Sequence, residues 1–265
     1  MALIILLVLG AIGAFYLTHV PEPEYNGVKL GSYLTNRNAV FGAGAHVARM
    51  SSPATAPIVI LGGGASETLA GLGPKAVPYL VNKMTPNPAN ELMFRITPRL
   101  PTSLQKFTPD KGKHDDRRML ASVLLCKLDT DAISALPHAL RAVERMDPVV
   151  LYYCVNIIGW HAPGTPYEDR TVKALIGATE AKDANTRRVA LHFLQRIKTP
   201  HPEIVPVLIR HMYEPGMGAT CMNSLVRFGT NALPALRKAA EDEKKGRRRR
   251  KERPHPPRRN DYREN

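Results

Sequence analysis

The chain is poor in the residues that small disulfide-stapled proteins and most enzymes depend on. Its 265 residues contain three cysteines, one tryptophan and 6% aromatics. An odd, small number of cysteines excludes a disulfide framework. Cys126, Cys154 and Cys221 all fall in apolar helical patterns, where free cysteine behaves as a small core hydrophobe. So few aromatics leave a core to be built from aliphatic side chains, for which the 44% apolar fraction is sufficient. No Gly-x-Ser-x-Gly elbow and no His-Glu-x-x-His pair occurs. His114, Asp115 and Asp116 are metal-ligand types, but three consecutive residues at a helix start do not face one point. They read as an acidic first turn answering the helix dipole. The other histidines read as surface or core positions without partners three or four residues away. The apolar run 56–61 enters Gly62-Gly63-Gly64, yet Glu67 stands where a dinucleotide fingerprint needs glycine, and no P-loop lysine follows. A glycine break before a helix over 66–72 is the better reading. No catalytic residue, metal, cofactor or small-molecule substrate is expected.

What is present is repetition. Residues 68–80 read T-L-A-G-L-G-P-K-A-V-P-Y-L and residues 224–236 read S-L-V-R-F-G-T-N-A-L-P-A-L, an ungapped offset of 156. Self-similarity at fixed spacing is the mark of stacked supersecondary units. Within each box a helix ends at Leu72 or Phe228, and the next residue (Gly73, Gly229) suits a left-handed C-cap. A second helix then carries proline (Pro78, Pro234) in its first turn, where the missing N–H has no intrahelical role. Residues 118–128 align without gaps on 187–197, an offset of 69, and both lead to a proline-entered second helix, at Pro137 and Pro206. Between them, 149–159 is a further first helix and 171–176 its second, with Lys173 in the proline slot. The last three spacings of the slot series 78, 137, 173, 206 and 234 are 36, 33 and 28, helical-hairpin repeat lengths. Each hairpin has more apolar surface than it can bury alone and must stack on a neighbour.

On the tracts L-G-P-K-A-V-P-Y-L, R-R-V-A-L-H-F-L-Q-R-I and F-G-T-N-A-L-P-A-L the chain resembles the HEAT-repeat family over about residues 60–240. The similarity is to its short bacterial form, found alongside phycobilisome-lyase-type repeats. The family's aspartate-x-x-valine-arginine turn is represented by Asp183-Ala184-Asn185-Thr186-Arg187, and Lys173 departs from the proline pattern. The resemblance implies an all-α, right-handed α-solenoid of about five helical hairpins, whose second helices line a concave binding face.

Flanking segments complete the reading. Residues 1–20 form an apolar run, about 30 Å long as a helix, which matches a bilayer core. No Lys or Arg precedes the run, and Ala11-x-Gly13 is a poor cleavage site, so a single-pass anchor is favoured over a cleaved signal. The flanking charges favour an inner-membrane orientation with the bulk exported. Residues 21–52 are a proline-stiffened linker with a short helix near 31–34, and 53–243 hold the solenoid. Within it, 85–114 carry five prolines and lysines and arginines near aromatics, an insertion of the kind that often carries function. Residues 244–265 hold eleven Lys/Arg against three Asp/Glu, or +8 of the chain's +14. This polybasic tail is expected to be disordered, with Arg247, Arg248, Arg249, Arg250 and Lys251 as a site for nucleic acid or anionic lipid.

Counted from the slot, the +2 residues (Leu80, Ala139, Leu175, Leu208, Leu236) should point inward. The +4 residues (Asn82, Arg141, Gly177, Arg210, Lys238) lie about 200° further round the helix and should face out. Tyr79, Lys83, His138 and His211 sit beside that column. The function expected is a non-enzymatic, membrane-anchored scaffold binding another macromolecule, a protein, on this face. The alternative is a nucleic-acid-binding repeat protein using the same basic column and the tail.

Overall fold

The computed structural model describes residues 20–41, 61–197 and 201–252, with side chains up to residue 245. Residues 1–19, 42–60, 198–200 and 253–265 lie outside that set. With them fall the proposed membrane segment, most of the run 56–61 and the end of the tail. Among the described residues no helix is long and apolar enough to cross a membrane. They are all-α apart from one two-stranded ribbon. Two compact units are distinguished, Met1–Ile197 and Lys198–Asn265.

The first unit begins where the linker was expected. Glu24–Tyr25 (β1) pairs antiparallel with Val28–Lys29 (β2). Asn26 and Gly27 between them both have positive φ, 51° and 77°, as a tight hairpin with the strands' twist requires. A 3-10 turn, Leu30–Thr35, and a short helix α1, Arg37–Phe41, follow. Helix α2 spans Gly63–Leu72, starting three residues before the expected Ser66, and α3 spans Ala76–Met84. The 85–114 insertion is ordered rather than a loop. It contains α4, Pro88–Ile96, capped by the Asn87 side chain, and α5, Thr102–Gln105.

Helix α6 spans Lys111–Leu125, and Asp110 caps it by accepting from the Lys113 N–H at 3.1 Å. The helix therefore starts before His114, and the acidic pair is not its first turn. Those carboxylates answer cations instead: Asp116 meets Arg37 at 2.5 Å, and Asp115 pairs with Lys111. Then come α7, Leu136–Glu144, α8, Leu151–His161, α9, Glu168–Ala178, and α10, Ala184–Leu194. Lys173 thus sits mid-helix. Without proline at the slot nothing confines that position to the first turn, and α9 begins five residues earlier.

These helices pack in two rows. The first helices α6, α8 and α10 lie against one another in that order, the second helices α7 and α9 pack together, and α7 also packs on α8 and α9 on α10. Helix α3 lies against α6. The arrangement follows from helices buried nearly all round: every residue from Leu120 to Leu125 is buried, as are Cys154 to Gly159. A Cβ at Gly159 would sit 2.2 Å from the Phe193 ring, so glycine is what lets α8 and α10 approach. The aligned arginines do related work. Arg118, 3% exposed, donates from Nε to the Met84 carbonyl at 3.0 Å and pairs with Asp147. Arg187 donates to the carbonyls of Ala181 and Lys182 at 2.9 and 3.1 Å. Each ties its helix to the backbone at the end of the preceding hairpin.

The second unit contains α11, Ile204–His211, α12, Gly218–Phe228, and α13, Leu233–Glu252. Helix α12 packs on α11 around Leu208, Met217, Cys221 and Leu225, all buried. Helix α13 corrects the expectation of a disordered tail from residue 244, since it continues through Glu252. Arg and Lys are good helix formers when solvated, and Glu241 and Glu243 lie four residues before Lys245 and Arg247, the favourable order for ion pairs.

Candidate functional site

The alternation expected along the second helices is present. The +2 residues Leu80, Ala139, Leu175 and Leu208 are fully buried and Leu236 is half-buried. All five +4 residues, Asn82, Arg141, Gly177, Arg210 and Lys238, are exposed. Of these, Asn82, Arg141 and Gly177 belong to the first unit, and its face can be built residue by residue.

Helix α3 presents Tyr79, Asn82 and Lys83 to a cleft of about 350 Å³ whose far wall includes Glu22, Gly31 and, from α6, Arg117. Glu22 is already committed: its Oε1 accepts the Gly31 N–H at 2.7 Å. A Cβ on Gly31 would meet that oxygen at 2.2 Å and the Tyr79 hydroxyl at 2.6 Å, so only glycine permits the contact. Tyr79 is buried, not at the surface as expected, with its hydroxyl turned to Glu22. Burial and the Glu22 carboxylate push its pKa up to about 12. Lys83 stays exposed and stands 5.1 Å above the Tyr79 ring, a cation–π contact that holds the ammonium at the cleft mouth.

A smaller recess of about 40 Å³ adjoins it, since Thr85 lines both. Its wall is His138, Arg141 and Arg145 of the α7 region, with Asp147 below. Asp147 is occupied by Arg118. Burial, then Arg141, lowers the His138 pKa, so the imidazole is neutral near pH 7 and adds no charge. Further along the same helix Glu144 is gripped by Arg170 through two bonds of 2.6 and 2.7 Å, which hold its carboxyl below the usual range. The carboxylates of this region are thus consumed internally. Lys83, Arg117, Arg141 and Arg145 form no ion pair among the described residues.

Sequence reasoning named Tyr79, Lys83, His138 and Arg141, and the structure brings them to two adjoining recesses. It missed Arg145, which falls at +8 from the slot and so continues the +4 direction to within about 40°. It also missed Arg117, which comes from a first helix and carries no second-helix signal. In the second unit Arg210 and Lys238 are exposed as expected, but His211 is not a surface residue. It is 2% exposed and its Nδ1 lies 2.8 Å from Glu214 Oε1, a partner three residues on. The tail residues Arg247, Arg248, Arg249, Arg250 and Lys251 lie in α13, beyond the described side chains.

No described cluster of three or more His, Cys, Asp or Glu has metal-binding geometry. The three cysteines are free thiols, and burial raises the pKa of Cys126 to about 12 and that of Cys221 to about 11, which disfavours the reactive thiolate. Comparison with known proteins matched no family model, no curated protein and no solved structure.

Proposed function

We propose that the chain is a non-enzymatic, membrane-anchored scaffold that holds an acidic segment of a partner protein on the second-helix face of its first unit. The observation that carries this reading is the set Lys83, Arg117, Arg141 and Arg145 around two adjoining recesses, with Glu22, Glu144 and Asp147 already engaged by internal partners. Cations held on rigid helices lose little on meeting carboxylates spaced along an extended chain. Each rim pair is worth roughly 1 kcal/mol or less, so binding would rest on the sum and on electrostatic steering.

The architecture proposed beneath this is the HEAT-type α-solenoid of about five hairpins. Its support is the row packing of α6, α8 and α10 beside α7 and α9, and the matched roles of Arg118 and Arg187. The apolar run 1–20 would anchor the chain in a bacterial inner membrane, with the exported orientation favoured by its flanks.

A photo-crosslinking amino acid at position 82, inside the cleft, tests the reading in isolated membranes. A protein adduct that Lys83→Glu with Arg141→Glu abolishes is the expected result. An adduct indifferent to those reversals refutes it. A nucleic-acid scaffold is the second reading, favoured by the helical persistence of α13 through the basic tract. It requires an affinity for single- or double-stranded nucleic acid that falls steeply with salt.

A further inference from the structure

The insertion between α3 and α6 is folded but contains no fully buried residue. No residue of α4, of the 3-10 turn Thr97–Arg99 or of α5 is buried. The segment is nevertheless rich in large apolar side chains: Leu92 is 60% exposed, Leu104 49% and Phe107 77%, with Met93, Phe94, Ile96 and Leu100 half-buried. It is tethered to the scaffold mainly at the start of α6, where His114 lies against Phe94 (ring centroids 5.3 Å apart) and Asn90 Nδ2 is 3.3 Å from His114 Nδ1. Apolar side chains concentrated on one projecting segment mark a surface that is covered in use.

The charges identify the cover. Arg95, Arg99 and Lys106 are exposed and have no ion-pair partner among the described residues, and Lys106 stands over the Phe107 ring at 5.3 Å. The carboxylates within 88–110 are Glu91 and Asp110, and Asp110 is spent capping α6. Long cationic side chains beside exposed Leu and Phe are the composition of a segment that lies in a bilayer interface, rings and aliphatics at the acyl boundary and cations among phosphates. From this the geometry points to residues 88–107 as an interfacial contact with an anionic lipid surface, adjoining the groove that takes the protein partner, which Asn90 also lines. It rests on the membrane-anchored reading only for bringing the chain close to a bilayer. A second contact of this kind would fix how the first unit sits on the membrane, which a single apolar segment alone leaves free.

The test uses the full chain, with Trp160→Phe removing the sole tryptophan and Phe107→Trp placing the only indole in the insertion. The protein is reconstituted with phosphatidylcholine vesicles, or with phosphatidylcholine–phosphatidylglycerol vesicles, whose acyl chains are brominated. The expected result is quenching of the introduced indole on anionic vesicles, several-fold stronger than that of Trp160 in the native chain, and lost when Arg95, Arg99 and Lys106 are changed to Glu. Leu104→Trp repeats the measurement should Phe107→Trp disturb folding. Vesicles that retain the protein while the indole stays unquenched overturn the inference and leave the anchor intact. Retention and quenching on anionic vesicles only would sustain it while removing the anchor. Shielding of the indole that needs an added protein and not lipid also overturns it.

Discussion

The two copies of the repeated box, 68–80 and 224–236, fold alike and are buried differently. Gly73 and Gly229 adopt nearly the same backbone, φ 50° with ψ −132° and φ 55° with ψ −131°. This is a positive-φ conformation open to glycine, though not the left-handed helical cap expected, and in both copies a 3-10 turn leads into the second helix. Yet Leu72, Val77 and Leu80 of the first copy are buried, while their counterparts Phe228 and Leu236 are half-buried and Leu233 is 44% exposed. The turn is written in thirteen local residues. Burial is conferred by neighbours, here α6 against α3, and no described helix of its own unit follows the second copy to play that part.

Truncation should separate the copies most. Leu80→Ala is expected to cost about 2–5 kcal/mol, and Leu236→Ala about 1 kcal/mol, because only the first leaves a closed cavity. Hydrogen exchange localised to each hairpin measures both, and equal costs would show that the second copy is packed as tightly as the first. Gly73→Ala and Gly229→Ala should instead cost similar amounts, about 1–2 kcal/mol each, since both force a side chain into positive φ. Asp131 Oδ2, 3.3 Å from a Cβ at Gly73, adds a little to the first.

A smaller contrast lies at the residue after the slot proline, Tyr79 in one copy and Ala235 in the other. Tyr79 has its pKa raised from 10.0 to about 12 in the folded chain. Between those values the folded state binds the proton that the unfolded state has lost, so stability is full below pH 10 and declines as pH rises through 12. Tyr79→Phe should flatten that part of the alkaline unfolding curve, and an unchanged curve would place the hydroxyl outside the buried cluster. The least effect is expected at Val226, 77% exposed, where Val226→Ala should change stability by no more than about 0.5 kcal/mol.

Much of this was legible beforehand for reasons that are local. The proline slot fixes helix phase, and from phase alone the +2 and +4 columns separate into core and surface. Where the slot holds Lys173 the start of α9 was misplaced by a few residues, although Leu175 and Gly177 still fall on the expected faces. Asn26-Gly27 is a recognisable hairpin-turn signal, but it stands beside the prolines at 21 and 23 that mark a stiff spacer. Tyr79 and His211 were misread because helical phase says which way a side chain leaves the backbone, not whether another element covers it. Glu22, from a linker 57 residues away in sequence, lies against the first, and the second is buried with Glu214 of the following turn as its partner. Arg117 illustrates the same limit from the other side, since a groove shared between two helices has no single periodicity.

The central claim is that four cations on one face of the first unit hold an acidic protein segment. Its most direct measurement is the affinity of the full chain for the protein crosslinked at position 82, compared between two charge reversals of equal net charge. One changes Lys83, Arg117, Arg141 and Arg145 to Glu; the other changes Lys29, Lys75, Lys113 and Lys182, all exposed and none lining either recess. The account predicts loss of binding for the first and near-native binding for the second, with helical content unchanged in both. Equal weakening by the two sets would mean that net charge, not this face, attracts the partner, and would contradict it.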